Sequence, residues 1–239
     1  MTRTARLAIA AVLVGIVAFG AAFFVINIAA HSAGAEGNPQ YIDYGAGHSA
    51  GSAINMTIQT NGATGFGPEA PSVTYMAKTP GGKWVESTLW EFPAHTRINV
   101  TAYEYDTGDP FRNEFFGGVS GIIGDKITVQ ELSGKTETVS VMDSNVFPYV
   151  GHSFTVPQLG IDVPFQGLSP LTPLNHLCPA SACTTNYYHT ITKFSFMTPG
   201  PGTYNWQCEI PCGFSYFDGQ GGPMATVGHM TGFLKVVNA

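Results

Sequence analysis

The sequence predicts an all-β sandwich carried behind a single N-terminal membrane helix, and three observations point there. From about residue 53 onward, apolar residues recur with a period of two in short runs. Turn-forming pairs separate the runs: Asn61-Gly62, Pro80-Gly81-Gly82, Gly117-Gly118, Ser133-Gly134 and Pro199-Gly200. Ahead of them, Leu7 to Ala30 is apolar throughout except for Asn27.

As a helix rising about 1.5 Å per residue, that first segment spans roughly 36 Å, enough to cross a bilayer with some tilt. Arg3 and Arg6 precede it, and no Lys or Arg follows until Lys78. The positive-inside rule therefore places residues 1–6 in the cytoplasm and everything after about residue 31 outside. A cleavable signal peptide is the competing reading, but its apolar region runs only about 7–15 residues, and this one is longer. The expectation is a single-pass cell-membrane protein, residues 1–30 being tip and helix, with lipid as one partner and the C-terminal domain on the extracytoplasmic face. Residues 31–52, rich in Gly, Ala and Ser, read as a tether, with His31 and His48 as solvated linker residues.

The domain over 53–239 divides into expected strands at Ala53-Thr60, Ser72-Ala77, Thr96-Tyr105, Lys126-Glu131, Thr136-Val141, Gly151-Val156, His189-Met197, Gly202-Cys208 and Thr231-Val237. Short strands with turn signals between them and no amphipathic helix argue for an antiparallel sandwich. Residues 61–95 are read only as further strands, with Trp84 and Trp90 in the core. The segment Gly167-Asn186 interrupts the pattern with prolines, His176 and the pair Cys178 and Cys183. Outside the cytoplasm such a short loop reads as a disulfide.

Composition narrows the function classes. Charged residues make up only 11% of the chain, against about 25% in an ordinary soluble domain. Either an extracellular setting or a surface packed on a partner accounts for that. The net charge is −6 and no basic patch exists, so nucleic acid is not an expected partner. No nucleophile-base pair or phosphate-binding loop appears, so catalysis by this chain alone is not expected.

One stretch carries the chemistry. Gly202-Thr203-Tyr204-Asn205-Trp206-Gln207-Cys208-Glu209-Ile210-Pro211-Cys212-Gly213 is an aromatic strand running into two cysteines, and Gly228-His229-Met230 opens the last strand. Thiolate, imidazole and thioether form the soft ligand set that selects copper. A second imidazole stands upstream in Gly151-His152-Ser153-Phe154-Thr155-Val156-Pro157. A structural reading also exists: a Cys208–Cys212 disulfide, a buried His152 and a core Met230. Each part of it is adequate alone, but their ordered coincidence argues against it. His95, His176 and His189 lack partner motifs and are read as structural.

These blocks resemble the copper-binding domain of cytochrome c oxidase subunit II. That family carries a histidine in a run like His152-Ser153-Phe154-Thr155-Val156-Pro157-Gln158-Leu159-Gly160 and an aromatic strand followed by a pair like Cys208 and Cys212. Then come a histidine, a methionine and a hydrophobic strand, matched by His229, Met230 and Gly232-Val237. The resemblance covers the anchor and roughly residues 95–239. It implies a cupredoxin-like Greek-key sandwich whose two cysteines bridge two coppers. His152, Cys208, Cys212, His229 and Met230 would be side-chain ligands, with the Ile210 carbonyl completing the set. The spacing departs from the family. Here all of Gly213-Gly228 separates the second cysteine from the histidine, and His229 and Met230 are adjacent. Neighbouring side chains on an extended strand point to opposite faces, so both reach one metal only if the backbone turns at Gly228. Otherwise Met224 is the thioether, or His229 ligates alone. A single blue-copper ion, needing one cysteine, His152, His229 and a methionine, is the alternative.

The resemblance further implies an electron-transfer subunit that takes electrons from a small redox protein and passes them to an integral-membrane, haem-copper oxidase-like partner. Trp206, Phe154, Phe214, Tyr216 and Phe217 would wall the site from water, with Trp206 as the place where electrons arrive. A free blue-copper carrier, a metal-free docking subunit and a copper-delivery protein are the other functions weighed.

Overall fold

The computed structural model describes residues 40–49, 51–61, 73–110, 114–178, 183–212 and 222–238. The apolar segment 7–30, tether residues 31–39 and 50, and Phe214, Tyr216 and Phe217 lie outside the described residues. Among the described residues, no helix is long and apolar enough to cross a membrane.

The strands in chain order are β1 (Ile42–Asp43), β2 (Ile54–Asn61), β3 (Thr74–Lys78), β4 (Trp84–Glu86), β5 (Leu89–Pro93), β6 (Arg97–Glu104) and β7 (Asp109–Pro110). They continue as β8 (Ile127–Gln130), β9 (Thr136–Val139), β10 (Tyr149–Val156), β11 (Ile161–Gln166), β12 (Thr190–Met197), β13 (Gly202–Gln207) and β14 (Thr231–Val237). Among the described residues, the helical pieces between them are short 3-10 turns such as Pro157–Leu159. One sheet has the order β1-β5-β14-β13-β10-β11, with β7 paired to β10; the other runs β4-β3-β2-β6-β12-β8-β9. The architecture is the all-β sandwich expected.

It is mixed, however, and not purely antiparallel. β2 pairs with β6 in parallel, and β5 runs parallel to both β1 and β14. The physical reason is connectivity. A parallel neighbour needs a crossover, and the chain between β2 and β6 makes one by passing through β5 in the opposite sheet.

Two segments differ from the sequence expectation. Residues 41–44, placed in the tether by composition, pack on the sandwich. Ile42 pairs with Trp90, the Tyr44 ring stacks on Phe92 at 5.2 Å, and its hydroxyl donates to the Lys78 carbonyl. Strand β11, which carries Pro164, was not among the expected strands. It lies at the end of its sheet's strand order, where proline's missing donor costs no ladder bond.

The two sheets bury an aromatic core. Trp90 and Trp206 stack with centroids 4.6 Å apart, Tyr75 meets Trp206 edge-on at 4.8 Å, and Phe154 lies 5.5 Å from Trp206. Burial of each such side chain contributes roughly 1.5–3 kcal/mol of transfer free energy. Of the two tryptophans between β3 and β6, only Trp90 is core; Trp84 is half-buried on an edge strand beneath the Lys78 ammonium. In β6 the inward positions are Ile98, Val100, Ala102 and Glu104, so a carboxyl group ends the apolar face. Strand β10 is buried from Val150 to Val156 and brings His152 to the end of the sandwich where β13 runs out.

Candidate metal centre

Three side chains converge at that end. The ligand atoms of His152, Cys208 and Cys212 all lie within 4.8 Å of one another, and all three residues are buried. His152 Nδ1 is 2.9 Å from Cys212 Sγ and 3.8 Å from Cys208 Sγ. The two sulfurs are 3.4 Å apart and unbonded. The Ile210 carbonyl oxygen faces both, 2.8 Å from Cys212 Sγ and 3.4 Å from Cys208 Sγ.

Local structure explains the convergence. The pairing of β10 with β11 slips between Val150 and His152, a bulge at Gly151 that re-aims the imidazole. The Cys208 N–H donates to the Met230 carbonyl at 2.8 Å, extending the pairing of β13 with β14 past the strand end. The loop then folds back, Glu209 N–H donating to Ser153 Oγ at 2.8 Å and Ser153 N–H donating to Cys208 Sγ at 3.3 Å.

Burial and mutual contact shift the three groups in different directions. Burial raises the Cys208 thiol, but hydrogen bonds from Cys212 and His152 outweigh it and hold Cys208 well below the usual thiol range. Burial and the neighbouring thiolate push Cys212 well up. For His152 burial acts downward, yet Glu104, Asp106 and Cys208 hold the imidazolium well above its ordinary range. Burial raises Glu104 to about 8. The donor set is two sulfurs and one imidazole nitrogen. His152 Nε2 is buried with no aligned hydrogen-bond partner. The residues fit a thiophilic metal ion.

Of the residues expected from sequence, His152, Cys208, Cys212 and the Ile210 carbonyl are brought together. Met230 is fully buried, and Met224 packs half-buried against the same core. His229 is not in the cluster. The backbone does turn before it, with Gly228 at φ 101°, a conformation that favours glycine. Thr88 Oγ1 accepts from Gly228 N–H at 2.7 Å, and Thr74 Oγ1 donates to its carbonyl at 2.9 Å. The turn leaves the His229 side chain 29% exposed, with Nδ1 3.7 Å from Glu86 Oε1, while Met230 points inward. The expected disulfide Cys178–Cys183 is formed.

Sequence reasoning missed Glu104, Asp106 and Tyr75. The Tyr75 hydroxyl donates to the Ser153 carbonyl at 2.6 Å, and its ring lies 6.2 Å from the His152 ring and next to Trp206. Glu104 had a visible signal: the alternation of β6 puts an acid on the core face, where an unpaired carboxylate is costly.

No protein-family model matches the chain, and no curated protein matches it. Among solved structures, it overlaps the copper protein rusticyanin at 16% identity, covering 79% of this chain and 80% of that one with a TM-score of 0.30. Rusticyanin from Thiobacillus ferrooxidans overlaps at 16% identity, covering 79% of each chain with a TM-score of 0.29. Reduced rusticyanin gives 16% identity over 79% of this chain and 82% of that one, with a TM-score of 0.27. Overlaps this low establish neither a shared fold nor a shared ligand.

Proposed function

We propose that this domain binds copper at His152, Cys208 and Cys212 and serves as an electron-transfer module, in the manner of a single-ion, blue-copper carrier. The observation that carries the reading is the set of two unbonded, buried sulfurs and one imidazole nitrogen within 4.8 Å of each other. Ligands bonded to one tetrahedral ion at about 2.0–2.3 Å are roughly 3.3–3.8 Å apart, close to the separations of these three atoms. Thiolate and imidazole also suit zinc. What favours copper is the resemblance of the His152 and Cys208–Cys212 blocks to the copper domain of oxidase subunit II.

Bound copper supplies a one-electron couple. The chain's own part is to hold the donors on strand ends and a pinned turn, so that little rearranges when charge changes. Tyr75, Phe154 and Trp206 keep water from the inner side of the site. A second reading, two coppers bridged by both thiolates, is favoured by the Ile210 carbonyl facing both sulfurs. The apolar run 7–30 and the arginines before it support an anchored, extracytoplasmic carrier that passes electrons to an integral-membrane redox partner.

Metal analysis and the visible spectrum of the purified chain test this. One copper per chain with a strong thiolate-to-copper band is expected. Two coppers would replace it with the bridged reading, and zinc or no metal would remove the electron-transfer function.

A further inference from the structure

Outside the donor set, a carboxylate that no strand carries lies against the site. Asp106 follows β6 in the loop toward β7. Its N–H donates to Glu104 Oε1 at 2.9 Å, and its carbonyl accepts from Leu168 N–H at 2.9 Å. Its Oδ1 accepts from Thr107 N–H at 2.7 Å. One oxygen remains, Oδ2, and it lies 3.4 Å from the buried His152 Nε2. Glu104 Oε1 is farther from that nitrogen, at 4.0 Å, and already takes the Asp106 N–H.

The loop reaches the imidazole because three glycines let backbones touch. A Cβ on Gly167 would lie 2.4 Å from Gly108 N and 2.9 Å from Gly151 N. One on Gly151 would press on the Glu104 carboxyl at 3.1 Å. The Gly108 N–H donates to the Leu168 carbonyl, fastening the loop on its far side. Glu104 thus forms a floor beneath Asp106.

We propose that Asp106 is the positioning residue of the metal centre: its free oxygen takes the Nε2–H of His152, which leaves the Nδ1 lone pair directed at the two sulfurs. The role rests on the metal-binding reading above. Which imidazole nitrogen ligates is set by the bond the other one makes, and a carboxylate there also strengthens the ring as a donor. At 3.4 Å the two atoms are within reach of a direct hydrogen bond.

The test is Asp106→Asn in the solubilised full chain, titrated with copper(I). The single amide oxygen is needed by Thr107 N–H, so the amide NH2 faces Nε2 and places a donor where an acceptor stood. The ring proton is then favoured on Nδ1, against the sulfurs, and copper(I) affinity is expected to fall roughly 10- to 100-fold. Asp106→Glu, which keeps a carboxylate, should recover part of that loss. Heteronuclear NMR of the unmodified, copper(I)-loaded chain reads the ring directly and does not depend on any variant folding. A slowly exchanging Nε2–H with the metal on Nδ1 is expected; the metal on Nε2 overturns the role. Unmodified chain that binds copper(I) beside an equally tight Asp106→Asn variant overturns the positioning alone. Unmodified chain that binds none overturns the metal reading, and this role with it.

Discussion

The molecule holds two cysteine pairs that look alike in sequence and behave differently in the fold. Cys178 and Cys183 are five positions apart and joined; Cys208 and Cys212 are four apart, equally buried, and have sulfurs 3.4 Å apart without a bond. Burial does not separate them, since all four are under 7% exposed. Surroundings do. The first pair packs with Tyr103, Tyr105 and Tyr187 in a satellite cluster. The second has a nitrogen, a carbonyl oxygen and a backbone N–H directed at its sulfurs. A thiol pair kept reduced inside an otherwise crosslinked domain is one whose sulfurs have other partners to satisfy.

Removing each pair should therefore break different properties. Cys208→Ser with Cys212→Ser takes both thiolates from the cage. With structural sites of four ligands worth about 10–16 kcal/mol, losing two of them costs on the order of 5 kcal/mol or more, several thousand-fold in affinity. Copper titration should show no stoichiometric binding. Retention of a full equivalent would mean that the sulfurs are not ligands.

Acidity sharpens the contrast, because only the second pair titrates. Cys208 is held well below the usual thiol range, whereas Cys212 and His152 are both raised and hold their protons more tightly. Metal must displace those two protons, so affinity rises with pH below the raised values and falls as acid is added. Each displaced proton contributes about tenfold per pH unit, giving about 100-fold between pH 6 and pH 7. Calorimetry in buffers of different ionisation enthalpy counts the protons released. A pH-independent affinity would place both ligands in their metal-ready states beforehand.

The sandwich was readable because β-strands announce themselves by period and punctuation, and most strand positions follow from that. What failed to show depends on position in the sheet. β11 carries Pro164 and drew no strand expectation, yet it terminates its sheet's order, where the missing donor is harmless. Tyr44 sat in a run of small residues that hid its contact with Phe92. At the site, His152, Cys208 and Cys212 stood in recognisable blocks, whereas Asp106 belongs to a distant loop. Only the glycine contacts among Gly108, Gly151 and Gly167 bring that loop to the ring, and such approaches leave no local pattern. Adjacency of His229 and Met230 did not decide their placement: the chain turns at Gly228, yet one side chain faces Glu86 and the other the core.

The smallest effect is expected from the joined pair. Replacing Cys178 and Cys183 together by serine opens a loop with a sequence separation of only five, and chain entropy for so short a loop gives about 2 kcal/mol of lost stability. Chemical denaturation should report that loss as a lower midpoint. Copper affinity should stay unchanged, because the disulfide packs on Tyr103 and Tyr105 and is tied by Cys183 N–H to Gln59 Oε1, on the face of the β2–β6 sheet opposite the core. A fall in copper affinity would contradict this separation and would have a specific route. Tyr105 immediately precedes Asp106, so loosening the satellite cluster would reach His152 through the carboxylate that faces it. In that outcome the crosslink would be holding the metal site in register as well as the chain.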